Sequence, residues 1–270
     1  MKKKRRIIVS GYSGYIGRNL ISFLKKKKID FKRVDMDKLT NYNFNNFTHF
    51  IHLNFYIKEE KKNILKNSKE MDRVIKLCRD KKLFLIFPST ACFKYRRKRR
   101  ISSSINVINY YTYSKKECEK KILLSGLRYC VLRIFNVFGG DTKNRYYISF
   151  IINQFFKKKT LNIKFRNNYR DYIHINDLCN LIYKVMTKNK TGIYEAGSGQ
   201  STSIQKLVFL IKDIYFNSKT INFIKPDKSP KNSYSSSKIK QTKQIFNWKP
   251  KICLKKGLKN LIIKNKNNVL

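Results

Sequence analysis

Acidic residues are scarce in this chain. Only 16 Asp and Glu stand against 62 Lys and Arg, a formal net charge of +46. An imbalance of that size points toward polyanion binding. A dedicated nucleic-acid face, however, would concentrate its charge. Here basic residues are spread along the whole length, with local runs at 25–28, 96–100 and 157–159. Lys, Asn, Ile, Phe and Tyr are abundant throughout, as an A/T-rich coding sequence produces. The charge therefore reads as compositional drift, and no specific nucleic-acid partner is expected. Long apolar runs are also absent, so no membrane span is predicted. The basic start, Met1 to Arg6, is followed by an apolar stretch that stops at Ser10-Gly11, too short for a secretory leader. The six cysteines are scattered without a Cys-x-x-Cys, and His49, His52 and His174 lack ligand spacing. That predicts reduced thiols, a cytoplasmic location and no metal.

What is present is enough for a core. The 270 residues are 41% hydrophobic and 14% aromatic, which excludes global disorder. Glycine is sparse, 10 in all, yet Gly11, Gly14 and Gly17 stand at three-residue spacing. Before them Ile7 to Val9 reads as a buried strand; after them Asn19, Leu20, Ile21, Phe23 and Leu24 follow a helical period. Strand, glycine turn and helix make a phosphate cradle. The glycines allow a tight bend and a close backbone approach, and the helix presents unpaired N–H groups. The next strand-like run, 31–34, ends at Asp35, where an acid would bind a ribose hydroxyl.

Further strands are predicted at 47–55, 83–87, 129–134 and 191–196. Helices are predicted at 58–82, 111–124, 147–156, 176–186, 203–216, 237–246 and 254–264. Asn176 or Asp177 is the expected cap of the fourth of these helices, and 166–172 reads as a polar connection. Strands alternating with helices imply parallel βαβ units.

A second informative stretch is Tyr111-Thr-Tyr-Ser114-Lys115. On a helix, Tyr111 and Lys115 share one face. A free tyrosine, with a pKa of about 10, is a poor base at neutral pH; lowering it by roughly 3 units takes about 4 kcal/mol. A lysine ammonium on the same face, with a positive nicotinamide ring, could supply that, and Lys115 could also hold the nicotinamide ribose. Thr90, at the carboxyl end of a central strand, is placed to hydrogen-bond a substrate carbonyl oxygen. Tyr113 is the rival base, on another side of the helix.

In this order, further motifs make the chain resemble the NAD-dependent epimerase/dehydratase family, extended short-chain dehydrogenases that modify nucleotide sugars. They are Phe50-Ile-His-Leu53, Ser89-Thr90-Ala91, Arg133-Ile-Phe-Asn136-Val-Phe-Gly139, Arg170-Asp-Tyr-Ile-His174-Ile-Asn-Asp177, Tyr194-Glu-Ala-Gly197-Ser-Gly199 and Asn247-Trp248-Lys249-Pro250. The resemblance implies an α/β fold: a Rossmann-type doubly wound parallel sheet with a small C-terminal substrate-binding lobe. Residues 1–140 would form the NAD-binding domain, completed by about 171–200. Residues 141–170 and 201–270 would form the lobe. Gly11, Gly14, Tyr15, Ile16, Gly17 and Leu53 would line the cofactor, and Asp35 would favour NAD over NADP. Thr90, Tyr111 and Lys115 would be the catalytic set. Asn136, Arg170 and Lys225 would face a nucleotide-diphosphate sugar, whereas Arg133, Asp171 and Asp177 would be structural. The family also implies a homodimer, formed through the helix carrying Tyr111 and the 58–82 region.

There are departures. Asn54 and Phe55 stand where small residues normally meet the cofactor. The connection after Asp35 is short, which implies the loss of one strand and its adenine contact. Glu195 replaces an asparagine, Lys225-Pro-Asp-Lys228 is a reduced phosphate motif, and Ser237 stands for an aspartate. Ala91-Cys92 replaces the Asp-Glu pair that dehydratases need, which leaves C4 chemistry: epimerisation through a 4-keto sugar. The alternatives are a 4-keto-sugar reductase resembling GDP-fucose synthase, for which Cys92 is a candidate acid/base, and an inactive relative that binds RNA.

Overall fold

The computed structural model describes residues 5–57, 61–94, 110–140, 146–224 and 233–266, with the side chains of 40, 41, 61, 93, 94 and 265 left aside. The chain opens with β1 (Arg6–Ser10), α1 (Tyr15–Lys26), β2 (Asp30–Val34), a short 3-10 turn (Met36–Asn41) and β3 (His49–His52). It continues through α2 (Lys61–Asp80), β4 (Phe84–Thr90), α3 (Tyr110–Leu124), β5 (Tyr129–Ile134), β6 (Asn136–Phe138), α4 (Tyr147–Lys157), β7 (Thr160–Ile163) and β8 (Tyr169–His174). It closes with α5 (Ile175–Lys188), β9 (Gly192–Ala196), β10 (Ser201–Ser203), α6 (Ile204–Tyr215), β11 (Thr220–Phe223), α7 (Lys240–Phe246) and α8 (Leu254–Lys266).

Six strands form one parallel sheet in the order β2-β1-β3-β4-β5-β9. Successive side chains of a strand point to opposite faces, and here both faces are apolar. Ile7 and Val9 enter one core with Ile51, Ile86 and Leu132; Ile8 enters the other with Phe50, Leu85, Phe87 and Val131. Leu20 and Leu24 of α1 and Leu178, Leu181 and Val185 of α5 close the first core. Met71 and Val74 of α2 and Cys118 and Ile122 of α3 close the second. The sheet is therefore doubly wound, as expected, and strand order reverses at β1, between β2 and β3. Ligands of open α/β sheets bind at such a point, outside the carboxyl ends of the strands. After Asp35 come six residues of 3-10 conformation kinked at Lys38; the short connection to β3 holds no further strand, and β2 ends the sheet order.

A third core gathers Ile151, Ile152 and Phe155 of α4, Leu207 and Ile211 of α6, and Leu258 and Ile262 of α8. Two small sheets accompany it: β10-β8-β6, and β7 paired parallel with β11.

Several sequence expectations need correction. The strand at 47–55 is shorter, His49–His52, because the chain leaves the sheet at Leu53 to line a cavity. The strand at 83–87 runs on through Pro88 to Thr90, pairing Ser89 with Arg133 and Thr90 with Ile134. The polar stretch 166–172 holds the first four residues of β8, which is buried from Asp171 onward. Its buried carboxylate is satisfied by donors from Ser198, Gly199 and Ser237, which is why so polar a sequence can sit inside. Neither Asn176 nor Asp177 caps α5. The His174 Nδ1 accepts the Asn176 N–H at 3.2 Å, while the Asp177 carboxylate accepts the Ile252 N–H at 2.9 Å. α7 starts three residues later than expected, because Ser237 is held by Asp171. Among the described residues, no helix is long and apolar enough to cross a membrane.

Candidate active site

The carboxyl ends of β1, β3, β4 and β5 open onto one cavity of about 850 Å³, whose far wall comes from α4 and the β7–β8 connection. Gly11 has φ +64°, and a Cβ there would collide with the Leu53–Asn54 backbone; a Cβ on Gly17 would collide with the Gly11 carbonyl. The loop thus hugs both the neighbouring strand end and its own helix, as only glycine permits. Gly14, the residue before α1, offers the helix no side-chain cap. The first N–H groups of α1, with the positive end of the helix dipole, face the cavity as an anion site. Tyr15 and Ile16 line the same wall. The Tyr15 hydroxyl donates to the Gly139 carbonyl at 2.7 Å, tying the glycine loop to the segment after β6. A bare glycine loop and an uncapped helix start fit a dinucleotide pyrophosphate.

Thr90 and Lys115 are each 5% exposed, and both line the cavity with the half-buried Tyr111. Tyr113 is 40% exposed and is not among the residues lining the cavity. The Lys115 ammonium donates to the Pro88 carbonyl at 2.7 Å and lies 3.8 Å from the Phe55 ring centre and 4.3 Å from that of Phe87. Burial pulls its pKa down to about 7, with Cys118 and Glu119 opposing. His52 lies behind it, with Nδ1 2.8 Å from the Ser10 hydroxyl and its ring stacked on Phe87. Burial, then the nearby Lys115, lowers its pKa to about 3. The Thr90 hydroxyl accepts the Cys92 N–H at 3.2 Å, and Cys92 lines the cavity as well.

Across the cavity stand Asn136 and Arg170. The Asn136 amide donates to the Asp171 carbonyl at 3.1 Å, and the Arg170 guanidinium to the Tyr169 and Ser233 carbonyls. Asp35 lies apart, exposed at the end of β2, and accepts the Tyr12 hydroxyl at 3.0 Å. Lys225 falls outside the described residues. Arg133 engages Glu119 through two nitrogens, the shorter contact 2.7 Å, a tie between β5 and α3.

Sequence reasoning missed several wall residues. Ser13, between the first two glycines, lines the cavity and carried no motif of its own. Phe55 was noted as too large, without a partner for its ring. Tyr146, Lys164, Phe165 and Asn168 also line the cavity and carried no motif.

A glycine cradle at the switch point of a parallel sheet, with a tyrosine and a lysine one helical turn apart on the same cavity, defines a dinucleotide-dependent enzyme of the short-chain dehydrogenase type. The chain belongs to the NAD dependent epimerase/dehydratase family, whose profile matches residues 7–197. It is similar to an ADP-L-glycero-D-manno-heptose-6-epimerase of Brachyspira hyodysenteriae, 23% identical over 94% of this chain and 95% of that one. A UDP-glucose 4-epimerase of Mycoplasma genitalium is 27% identical over 53% of this chain and 47% of that one. Among solved structures, the UDP-glucose 4-epimerase of Thermotoga maritima with UDP-glucose superposes with a TM-score of 0.82, at 19% identity, over 98% of this chain and all of that one.

Proposed function

We propose that the protein is an NAD-dependent epimerase acting at C4 of a nucleotide-diphosphate sugar. The observation that carries this reading is the meeting of Tyr111, Lys115 and Thr90 in the cavity that the glycine loop opens, with Ala91 and Cys92 where a dehydratase needs two carboxylates. NAD, when bound, supplies the sink for the C4 hydride and its return. Tyr111 takes the C4-hydroxyl proton and gives it back to the 4-keto oxygen. Thr90 hydrogen-bonds that oxygen, and the Lys115 ammonium stabilises the phenolate and holds the nicotinamide ribose. Gly11, Gly14, Tyr15, Ile16, Gly17 and Leu53 cradle the cofactor, and Asp35 accepts from the adenosine ribose. Asn136 orients the sugar, and Arg170, with Lys225, neutralises the diphosphate. Residues 141–170 and 201–270 act as the substrate-binding lobe.

Incubation with a panel of nucleotide sugars, followed by NMR, tests the reading. A C4 epimer formed by the native chain and not by Tyr111→Phe supports it; no conversion of any sugar overturns it. Cys92, on the cavity wall beside Thr90, favours a second reading, a 4-keto-sugar reductase. That reading requires NADH consumption with a 4-keto sugar.

The chain pairs with a second copy through α2 and α3, which leave Leu65, Leu123 and Leu124 exposed; sedimentation tests this. Its surplus charge gives polyanion binding that is indifferent to sequence and steeply salt-dependent.

A further inference from the structure

We propose that Phe55 is a positioning residue for the Lys115–Tyr111 pair, its ring fixing the lysine ammonium and setting how readily that group holds a proton. The proposal rests on the reading of Lys115 as the partner of Tyr111. Phe55 follows β3 by three residues, at a position where the family resemblance leads one to expect a small side chain. Its ring centre lies 3.8 Å from the Lys115 ammonium and stands edge-on to the Tyr111 ring at 5.7 Å and 88°. One aromatic side chain therefore touches both members of the pair. Phe87 flanks the ammonium at 4.3 Å, and the Pro88 carbonyl accepts from it.

The ionisable groups around Lys115 offer little compensation. His52, on β3, is neutral, its pKa lowered to about 3. Cys118, on α3, is neutral as well, pushed up to about 12 by burial. Glu119, also on α3, is engaged by Arg133 of β5. Among the described residues, Tyr111 is a further neighbour, its ring centre 6.0 Å from the ammonium. The Pro88 carbonyl and the Phe55 and Phe87 rings lie nearer.

A ring in this place acts in two opposed ways. It excludes water, which disfavours the charged lysine, and its π face attracts the cation, which favours it. The lysine sits at about 7, below its ordinary 10.5, with burial the largest cause. Substitutions can separate the two effects. Alanine opens the site to water. Leucine keeps water out but removes the π face.

The test is a pH titration of the full chain without ligand, following lysine 13Cε signals by NMR, with Lys115 assigned by the signal lost in Lys115→Met. Phe55→Ala should raise the Lys115 midpoint by about 1 on the pH scale, and Phe55→Leu should lower it by about half that. Phe55→Tyr should stay with the native chain. Midpoints that coincide, or that move the same way in the alanine and leucine variants, overturn the proposal. Should Phe55→Ala not fold, the leucine and tyrosine variants decide, and equal midpoints in those two overturn it. No substrate is involved, so a failure here is distinct from a failure of the functional reading. That reading fails if Lys115→Ala leaves turnover and NADH affinity unchanged.

Discussion

Asp35 and Lys115 stand at the carboxyl edge of the same sheet, yet their surroundings are opposite. Lys115 is 5% exposed and packed between aromatic rings, with one carbonyl as hydrogen-bond partner. Asp35 is exposed at the end of an edge strand, touched by one phenol. A charge in a dry site interacts strongly with whatever reaches it, whereas one in water is screened. In the proposed cofactor site, the inner end is thus suited to chemistry and proton affinity, and the outer end to modest, exchangeable recognition. Substitutions should therefore have effects graded from the inside outward.

The largest effect is expected innermost. Tyr111→Phe should lower turnover by about 100- to 10,000-fold while NADH affinity, read by fluorescence, stays nearly the same. Tyr113→Phe, on the outer side of α3, should change turnover less than about threefold. Reversal of that order would put the base on the wrong face of α3.

Next comes acid stability. His52 titrates at about 3 in the fold against 6.5 ordinarily, so between those values the unfolded chain binds the extra proton. That stability is present above pH 6.5 and is lost as the pH falls. At pH 5 the loss relative to pH 7 is about 2 kcal/mol. Denaturant melts of the native chain and of His52→Asn should converge toward pH 5. Parallel pH profiles would contradict the dry inner wall.

The outer end should respond less. Asp35→Asn removes the exposed carboxylate proposed to accept from the ribose; NADH should bind about tenfold more weakly and the margin over NADPH should shrink. A hundredfold loss would mean that the two ends are alike. Smallest of all, Tyr12→Phe deletes one half-exposed hydrogen bond to Asp35, and NADH affinity should change by less than about fivefold.

The doubly wound sheet was legible because its strands are continuous apolar runs and its helices keep a clear period. The glycine loop and the Tyr111–Lys115 spacing were legible because each depends on a short contiguous stretch. β6, β7, β8, β10 and β11 were not. They are short, and β8 owes its burial to donors from Ser198 and Ser237, far away in sequence. The α5 cap was misread for a related reason: His174 has the right acceptor in the right place, but serine, threonine, aspartate and asparagine are the expected caps. Phe55 was legible as a misfit in size, and the lysine beneath it only in three dimensions.

The edge position of β2 has a consequence for how molecules of this protein meet. Among the described residues, its outer rim carries backbone donors and acceptors without a neighbouring strand, a template on which another chain could add itself and begin a fibre. The strand reads Asp-Phe-Lys-Arg-Val, and Lys32 and Arg33 put two like charges in its middle. An incoming copy in register would have to stack those charges on its own. The abundance of cations that looks incidental over most of the surface thus acts, at this one rim, as a guard against aggregation.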